Sequence, residues 1–495
     1  MLMGSIAMMA VVSLASCSAN SDFDNTNTTD LNTKESVQSP VEFGTYLAQS
    51  KNTRAGESTR ASESDAPEMT TDLLKTMGFG VTAFYTGTSE YAAGQSSEEP
   101  NFMYNTEVKG TEKGDGWTYS PIKYWPNGGQ TEGNVTPGEA AQHLSFFAYA
   151  PYKDLTKNST IGITGLSANN VPGDPTVTYA LGAKDAEADL LWGTAGSNDP
   201  TNGAKIGTTT SGVSQDGTDL GGKAKAKVNA NLTKMKVDGK VQFYFKHALA
   251  KFGGTGATVG DKTSGLMVVA DIDNGYIPTT KDGSLGDITK ITVKSIKIES
   301  VIKDAKGNMT TDASIPTSGT FNLVTGEWTN TGTMDKIDYE IKPKSATATA
   351  TEGVTVQTMN DDIAEPQSVS SWDDLKNVTG VTTTAKSVYT ETSPLLIIPD
   401  GQPHTFRITI DYIVRTKDEA LSKGYTEVEQ SFYKDLTLNN VSLNAKYNLL
   451  IHLGLTSVKF DAYVSTWDNT VNGGTTDGSS KDTDPMVIYM PANVK

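Results

Sequence analysis

Short runs in which apolar and polar residues alternate recur along most of the chain. Clear examples are residues 291–298, which carry one break in register, 406–412 and 447–455. Alternation with period two is typical of strands that bury one face, and turn-forming residues separate the runs. The pattern predicts an all-β protein built of β-sandwiches. Short helices are predicted only at residues 185–190, 371–375 and 418–423.

One strand signature stands apart near the N-terminus. In the segment Pro40–Leu47, the apolar residues Val41, Phe43 and Leu47 fall on one side, with Thr45 between them. Polar residues surround this segment. Residues 18–39 contain almost no large apolar side chain, which predicts a flexible tether.

The polar stretch that follows this strand contains the tripeptide Thr-Arg-Ala twice, centred on Arg54 and Arg60. Exposed polar linkers are where proteases cut. An isolated strand followed by such a linker suits a segment that is removed after synthesis. The alternative interpretation is that both arginines simply keep the linker in solution.

A second isolated strand candidate lies at the C-terminus, between Pro485 and Pro491. Met486, Ile488 and Met490 share one face of it, and a spacer rich in Gly, Ser, Thr and Asp precedes it. The segment is either a strand donated to another subunit or an edge strand of its own C-terminal domain.

Length and charge narrow the classes of protein further. A chain of 495 residues exceeds the size of one hydrophobic core, so two domains are expected. The net charge of −17 repels phosphate backbones, which argues against nucleic-acid binding.

Cys17 is the single cysteine, so no disulfide can form within one chain. It follows an apolar run from Ile6 to Ala15, which is too short for a membrane span and has the length of a signal-peptide core. The sequence Leu14-Ala15-Ser16-Cys17 resembles the lipobox of bacterial lipoproteins, in which the cysteine is acylated. An ordinary signal peptide with a chance cysteine is the alternative.

No arrangement of residues predicts catalysis, a cofactor or a metal site. The four histidines lack ligand spacing, and His247 and His452 are interpreted as packed or edge residues of strands. Residues 253–256 and 271–275 are interpreted as turns, and the acidic pairs 361–362 and 373–374 as exposed loop residues. The tryptophans at 117, 125, 192 and 328 form either a sugar-stacking face or core packing. We therefore expect a protein that is not an enzyme.

Several segments, in this order, resemble the fimbrillins of Bacteroidales, the type V pilins. They are residues 102–105 (FMYN), 117–121 (WTYSP), 123–126 (KYWP), 145–152 (SFFAYAPY), 189–192 (DLLW), 245–251 (FKHALAK) and 447–467. The resemblance runs from about residue 41 to 467 and favours core packing for the tryptophans.

The resemblance implies a lipoprotein that is acylated at Cys17 and exported to the outer membrane. An Arg-specific protease would then cut after Arg54 or Arg60 and remove the strand containing Val41, Phe43, Thr45 and Leu47. A neighbouring pilin subunit would fill the groove with its own strand, for which Met486, Ile488 and Met490 are the candidates. The processed protein would reside in an extracellular pilus.

The expected organisation is two tandem Greek-key, transthyretin-like β-sandwiches with a removable first strand and a tail strand. The segments are residues 1–17 (signal peptide), 18–60 (tether and pro-segment), 61–237 and 238–470 (sandwiches) and 471–495 (spacer and donor strand). The expected function is a pilus subunit that serves adhesion. The alternative is a monomeric surface lipoprotein that binds glycans or host ligands, or a tip adhesin.

Overall fold

The architecture is taken from a computed structural model of the chain. The structure describes residues 40–47, 71–91, 99–111, 116–126, 142–156, 162–181, 189–195, 228–232, 240–253, 257–259, 262–270, 288–329, 332–344, 355–375, 378–389, 395–454, 458–466 and 486–488.

Strands dominate the described residues, and two short helices interrupt them. The first elements are β1 (Glu42–Leu47), α1 (Thr71–Met77), β2 (Phe79–Gly87), β3 (Met103–Gly110), β4 (Trp117–Thr118), β5 (His143–Ala150), β6 (Ile163–Leu166), β7 (Thr176–Ala180), β8 (Leu191–Thr194), β9 (Asn229–Leu232) and β10 (Lys240–His247). The middle elements are β11 (Ala250–Phe252), β12 (Ala257–Val259), β13 (Lys262–Ser264), β14 (Leu266–Ala270), β15 (Thr289–Lys303), β16 (Met309–Thr311), β17 (Ile315–Pro316), β18 (Ser318–Asn322), β19 (Trp328–Thr329), β20 (Met334–Asp335) and β21 (Asp338–Lys342). The last elements are β22 (Thr355–Thr358), α2 (Trp372–Leu375), β23 (Lys386–Ser387), β24 (Leu395–Ile397), β25 (His404–Lys417), β26 (Tyr425–Leu438), β27 (Ala445–Leu453), β28 (Val458–Thr466) and β29 (Met486–Ile488).

An eight-stranded sheet forms the N-terminal part, in the order β1-β10-β8-β5-β2-β3-β4, with β9 paired to β5. Its central strand β5 is buried on both faces. Leu144 and Phe146 enter the core that contains β1, whereas Phe147 and Tyr149 enter a second core on the opposite face. Double burial explains why this strand reads as a continuous apolar run and not as an alternating one.

A four-stranded sheet, β19-β18-β7-β6, covers that second core. Its strands come from both halves of the sequence, because β18 pairs with β7 along its whole length. Two indoles strengthen the junction. The Trp192 N–H donates to the Leu323 carbonyl at 2.8 Å, and the Trp328 N–H donates to the Ala248 carbonyl at 2.8 Å.

The C-terminal sandwich consists of a seven-stranded sheet around β27 and a six-stranded sheet in the order β22-β21-β15-β25-β26, with β16 paired to β15. The core between them contains inward-facing residues of both sheets, for example Phe252 and Phe406, whose rings meet edge to face at 4.9 Å. The prediction of an all-β sandwich class is therefore confirmed. The Greek-key connectivity stays a prediction.

Strand pairing crosses the predicted domain boundary at residue 237. β10 lies after this boundary in sequence, yet it pairs with β1 and β8 of the N-terminal sheet. β18 lies 80 residues further along and belongs to the sheet shared with β7. Strands from both sides of the predicted boundary thus pair with each other. The division into two domains stays a prediction.

Helices differ partly from the expectation. α2 lies inside the predicted stretch 371–375. The prediction of a helix at residues 418–423 is wrong, because this segment is the turn of the β25–β26 hairpin, closed by the Asp418 N–H donating to the Gly424 carbonyl at 2.9 Å. α1 was not predicted. It ends where the Gly78 N–H donates to the Leu74 carbonyl, with Gly78 at a φ of 71°. No helix among the described residues has the length and apolar character needed to cross a membrane.

Candidate functional site

The isolated N-terminal strand forms one edge of the eight-stranded sheet. β1 pairs with β10 in parallel, from Glu42 opposite Lys240 to Leu47 opposite Phe245. Consecutive parallel strands are normally joined by a crossover of about a dozen or more residues, but here almost 200 residues separate the two strands in sequence. β1 therefore attaches to the sheet through the side of β10 and through its own side chains.

Two side chains of β1 reach the core, as the alternation predicts. Val41 is 1% exposed and Phe43 is 3% exposed. The Phe43 ring stacks on Phe243 at a centroid distance of 5.9 Å, and it meets three further aromatic rings edge-on, those of Phe79, Tyr119 and Phe146. Thr45, on the same side of the strand, is half-buried. Phe43 is thus the main apolar anchor of β1.

The opposite edge of the sheet curves round to meet β1. The Val41 N–H donates to the Lys123 carbonyl at 2.9 Å, and Pro40 forms an isolated bridge with Tyr124. The segment 119–124 follows β4, the last strand on the other side of the sheet. β1 therefore closes a seam between the two ends of the sheet. We call this place the seam and define it by β1, β10 and residues 119–124.

Tyr119 fixes the backbone of β1 within the seam. Its hydroxyl donates to the Val41 carbonyl at 2.8 Å and accepts the Lys123 N–H at 3.1 Å. Burial raises the pKa of the Tyr119 hydroxyl above its ordinary value, although the hydrogen bond with Lys123 opposes the shift. The hydroxyl therefore stays protonated at neutral pH and remains a donor.

A shallow cleft runs along the outside of the seam. It has a volume of about 560 Å³ and is lined by β1 residues 40–43, by residues 116–119 and by Ile122, Tyr124 and Lys240. Ile122 and Tyr124 are both 46% exposed. Glu42 and Lys240 face each other at its rim, with Oε2 and Nζ 3.9 Å apart. The cleft is thus lined by aromatic residues, and its exposed rim carries both charged and apolar side chains.

Gly44 marks the tightest point of β1. A Cβ atom at this position would overlap the side-chain amide of Gln242 on β10. The amide is the end of a flexible side chain, so a larger residue would fit once Gln242 turned aside. A strand that carries a side chain at this position can therefore pair with β10 only when Gln242 changes its rotamer.

The C-terminal strand candidate lies at the edge of another sheet. β29 pairs with β28 in antiparallel register, with Met486 opposite Ala462 and Ile488 opposite Phe460. This is the position of an edge strand within the chain's own C-terminal sandwich. The donor role of Met486 and Ile488 stays a prediction.

Several predicted functional residues lie outside the described residues. They are Cys17, Arg54, Arg60 and Met490, together with the side chain of Leu47, whose backbone pairs in β1. Lipidation, the cleavage positions and the full donor strand therefore stay predictions.

Two of the histidines and one of the acidic pairs that were considered in the sequence have partners in the structure. His247 is buried at the end of β10 and lies 2.6 Å from Asp189, and the half-buried His452 lies in β27, 3.0 Å from Asp461. The interpretation of residues 373–374 as loop residues is wrong, because both lie in α2. Asp374 accepts the Ser370 and Ser371 N–H groups, and its own N–H donates to the Ser371 hydroxyl, which closes the start of the helix. In the part of the chain that is described, no group of three or more His, Cys, Asp and Glu side chains could hold a metal ion.

The four tryptophans of the alternative sugar-stacking face are packed against other residues. Trp125 and Trp192 are buried. Trp117 lies edge-on to Phe79 at 5.1 Å, and Trp328 meets Phe321 at 5.2 Å. Core packing therefore describes Trp125 and Trp192, whereas Trp117 and Trp328 are half-buried and pack against the edge of a core.

The partners of β1 in the seam were not identified from the sequence. Tyr119 and Lys123 belong to segments that carried the family resemblance, but nothing in their spacing placed them beside Val41. The alternating pattern Val241-Gln242-Phe243-Tyr244-Phe245 did predict a strand, whose parallel pairing with β1 depends on tertiary contacts alone.

The fold and the seam define a class of all-β protein in which a strand near the N-terminus seals a sandwich. No protein-family model matches the chain. Over 125 residues the chain is 30% identical to the fimbrium subunit Fim1C of Phocaeicola vulgatus. The match covers 25% of this chain and 29% of that relative, so the chain spans less than a third of the relative's length.

A solved structure extends the comparison to most of the chain. The crystal structure of a fimbrial protein from Bacteroides vulgatus superposes with a TM-score of 0.52, covering 86% of this chain and 99% of that one. At 17% sequence identity this likeness shows the fold alone. The resemblance to fimbrial subunits predicted from the sequence is confirmed.

Proposed function

We propose that this protein is a structural subunit of a surface pilus, in which β1 is removed by an Arg-specific protease and replaced by a strand from a neighbouring subunit. The pilus would serve adhesion. The partial likeness to a fimbrium subunit supports the class of protein. The observation that carries the mechanism is the position of β1, which seals the seam through contacts on both of its edges.

The energetics of the seam suit such an exchange. Burial of Val41 and Phe43 contributes roughly 1.5–3 kcal/mol each. Backbone hydrogen bonds to β10, and the bond to Lys123 on the other edge, add about 1 kcal/mol apiece. A seam without β1 would expose aromatic rings, the unpaired edge of β10 and the Lys123 carbonyl, which favours the entry of another strand.

Cleavage would convert the binding of β1 from an intramolecular into a bimolecular event. While the chain is intact, the linker holds β1 at a high effective concentration near the seam. After a cut following Arg54 or Arg60, this advantage is lost and β1 can leave. The cut therefore acts as the trigger, and it requires no change in the seam itself.

The C-terminal segment is the candidate donor. Residues 467–485 form a spacer of 19 residues between β28 and β29. Fully extended, it would reach about 60 Å, which is enough to deliver Met486, Ile488 and Met490 to another subunit. β29 pairs with β28 through three residues, so little pairing has to be given up.

Export and anchoring complete the proposal. An acyl chain on Cys17 would hold the precursor at the outer membrane, and the tether of residues 18–39 would separate it from the folded part. After a cut following Arg54 or Arg60, only the contacts of β1 in the seam would hold the subunit to this anchor. Removal of β1 and release from the membrane would then be one event.

Treatment of the purified precursor with an Arg-specific protease tests the proposal. We expect loss of the N-terminal segment, followed by oligomers that resist SDS. The double variant Arg54→Lys/Arg60→Lys keeps both charges but removes both cleavage sites, and it should stay monomeric. A chain that lacks residues 485–495 should be cut and remain monomeric.

Two results would contradict the proposal. One is a trimmed protein that stays monomeric although its N-terminal segment has been lost. The other is a protein without residues 485–495 that polymerises as well as the intact chain.

A further inference from the structure

β1 and the C-terminal segment share a local sequence pattern. Each begins with proline and has apolar residues at the first and third following positions: Pro40-Val41-Glu42-Phe43 and Pro485-Met486-Val487-Ile488. From the proline onwards, both segments provide side chains for one face of a strand. This correspondence is sufficient to align the donor with β1 residue by residue.

The described contacts give each position of this pattern a physical role in β1. Pro40 forms the bridge with Tyr124 at the start of the strand, where a missing N–H is tolerated. The residue after the proline presents its N–H to the Lys123 carbonyl and its carbonyl to the Tyr119 hydroxyl. The third residue after the proline inserts its side chain among the four aromatic rings.

We propose that the seam accepts the C-terminal segment of a second copy of this chain in a defined orientation and register: parallel to β10, with Pro485 in the place of Pro40. This inference rests on the proposed exchange of β1. Met486 then occupies the site of Val41, and Ile488 occupies the aromatic site of Phe43.

The orientation follows from the asymmetry of the seam. Tyr119 and Lys123 lie at the Val41 end, where they bind one residue through both its N–H and its carbonyl. A strand in the opposite direction would reverse the order of donor and acceptor along its backbone at this point. Parallel entry reproduces both hydrogen bonds.

The register follows from the residues that flank the apolar pattern. A shift that moves Pro485 two places inward would set the charged Asp484 at the buried site of Val41. A shift two places outward would set Pro491 at the place of Gly44, in the middle of the ladder, where a residue without N–H weakens the pairing. In the proposed register Pro491 takes the place of Tyr46 and ends the ladder, so the donor pairs with β10 through four residues, Val487 to Met490. Tyr489 takes the place of Gly44, which requires the Gln242 amide to turn aside.

Cysteine pairs report the register directly. In β1 the partner of Lys240 is Glu42, and both side chains are partly exposed at the rim. In the proposed register Val487 takes the place of Glu42. All chains carry Cys17→Ser, which removes the natural cysteine. Chains with Lys240→Cys are mixed with chains with Val487→Cys, treated with the Arg-specific protease and mildly oxidised.

We expect covalent dimers between the two kinds of chain, at a yield several times that of two control mixtures. In one control, Tyr489→Cys replaces Val487→Cys and reports a shift of two residues in one direction. In the other, Gln242→Cys replaces Lys240→Cys and reports the opposite shift. The untreated single chain Glu42→Cys/Lys240→Cys should form its disulfide internally, which shows that the paired positions can be linked.

The outcomes separate this inference from the proposed function. Oligomers whose disulfide yield is higher in a control mixture overturn the register and leave the strand exchange standing. A trimmed protein that forms no oligomers in any mixture overturns the exchange and the register together. Preferential dimers of Lys240→Cys with Val487→Cys support both.

Discussion

The Tyr119 hydroxyl donates a hydrogen bond of 2.8 Å to the Val41 carbonyl, although 78 residues separate the two in sequence. This bond joins β1, which forms one edge of the eight-stranded sheet, to the segment that follows the strand at the other edge. It places Val41 beside Lys123, whose carbonyl accepts the Val41 N–H. The seam therefore holds β1 by backbone contacts as well as by buried side chains.

Replacement of Tyr119 by phenylalanine should weaken the hold on β1. Tyr119→Phe removes the donor to the Val41 carbonyl and the acceptor for the Lys123 N–H, at a cost of about 1–3 kcal/mol. In the cleaved protein, β1 should dissociate roughly 5 to 150 times faster, since ~1.4 kcal/mol corresponds to a factor of ten. Release of a labelled N-terminal fragment measures this. Tyr124→Phe, at an exposed position of the same segment, should change the rate little. Equal rates for both variants would refute a positioning role for Tyr119.

Truncation of Phe43 should destabilise the precursor. Phe43→Ala leaves a cavity among four aromatic rings and should lower the free energy of unfolding by about 3–5 kcal/mol. Urea unfolding followed by tryptophan fluorescence measures the loss, because Trp117 and Trp125 adjoin this core. Glu42→Ala, on the exposed side of the same strand, should stay within about 0.5 kcal/mol of the parent.

Phe43→Ala should affect the stability of the precursor but not that of the polymer. If β1 is discarded on assembly, Phe43→Ala should leave the stability of SDS-resistant oligomers unchanged. Oligomers that are weakened by Phe43→Ala would mean that β1 is retained, against the proposed exchange.

The alternation of apolar residues was sufficient to predict β1 and its buried side, because Val41 and Phe43 lie two residues apart in a polar surrounding. It could not predict the pairing of β1 with β10, since that pairing joins residues about 200 positions apart and depends on the curvature of the whole sheet. β10 was assigned to the second half because a polar stretch precedes it. Phe243 and Phe245 lie in the first core together with Phe43.

The turn between β25 and β26 explains why the predicted helix at residues 418–423 does not form. Residues 418–423 have helix-forming composition, but the two flanking strands pair residue by residue from Thr416 opposite Thr426. The segment must therefore reverse the chain direction, and Gly424 at a φ of 75° completes the turn.

The sheet shared by the two halves depends on Gly326, which lies between β18 and β19. Gly326 has a φ of 70°, and a Cβ atom there would fall on the indole ring of the buried Trp192. Gly326→Ala should therefore combine backbone strain with steric overlap, and lower the free energy of unfolding by about 3 kcal/mol or more. Gly307→Ala is the matched control. It has a φ of 84° but no heavy atom within 4 Å of its Cβ position, so about 1 kcal/mol is expected. Thermal unfolding of both variants measures the difference, and equal losses would show that the contact with Trp192 contributes nothing.

His404 should make the stability of the C-terminal sandwich depend on pH. Its Nε2 atom lies 2.8 Å from Asp400, and its Nδ1 atom lies 3.6 Å from Asp312. The hydrogen bond to Asp400 raises the pKa of His404 above its ordinary value, and the charges of both carboxylates add to this against the effect of burial. Burial acts to raise the pKa of Asp400, but hydrogen bonds from His404 and the Gln402 N–H lower it below the usual range.

The sign of the pH dependence follows from these directions. A raised histidine pKa contributes stability that is fully present below about pH 6.5 and is lost as the pH rises through the folded-state pKa. A lowered aspartate pKa contributes stability above about pH 4, which is lost on further acidification. The cluster should therefore stabilise the fold most between about pH 4 and 6.5.

The variant His404→Gln isolates this contribution, because it keeps a hydrogen-bond donor for Asp400 but carries no charge. The difference in melting temperature between the parent and His404→Gln should be largest near pH 5.5 and should shrink towards pH 9. Subtraction of the two curves removes the effects of every other titrating group. A difference that stays constant from pH 5.5 to pH 9 would show that His404 acts through its shape and hydrogen bonds and not through its charge.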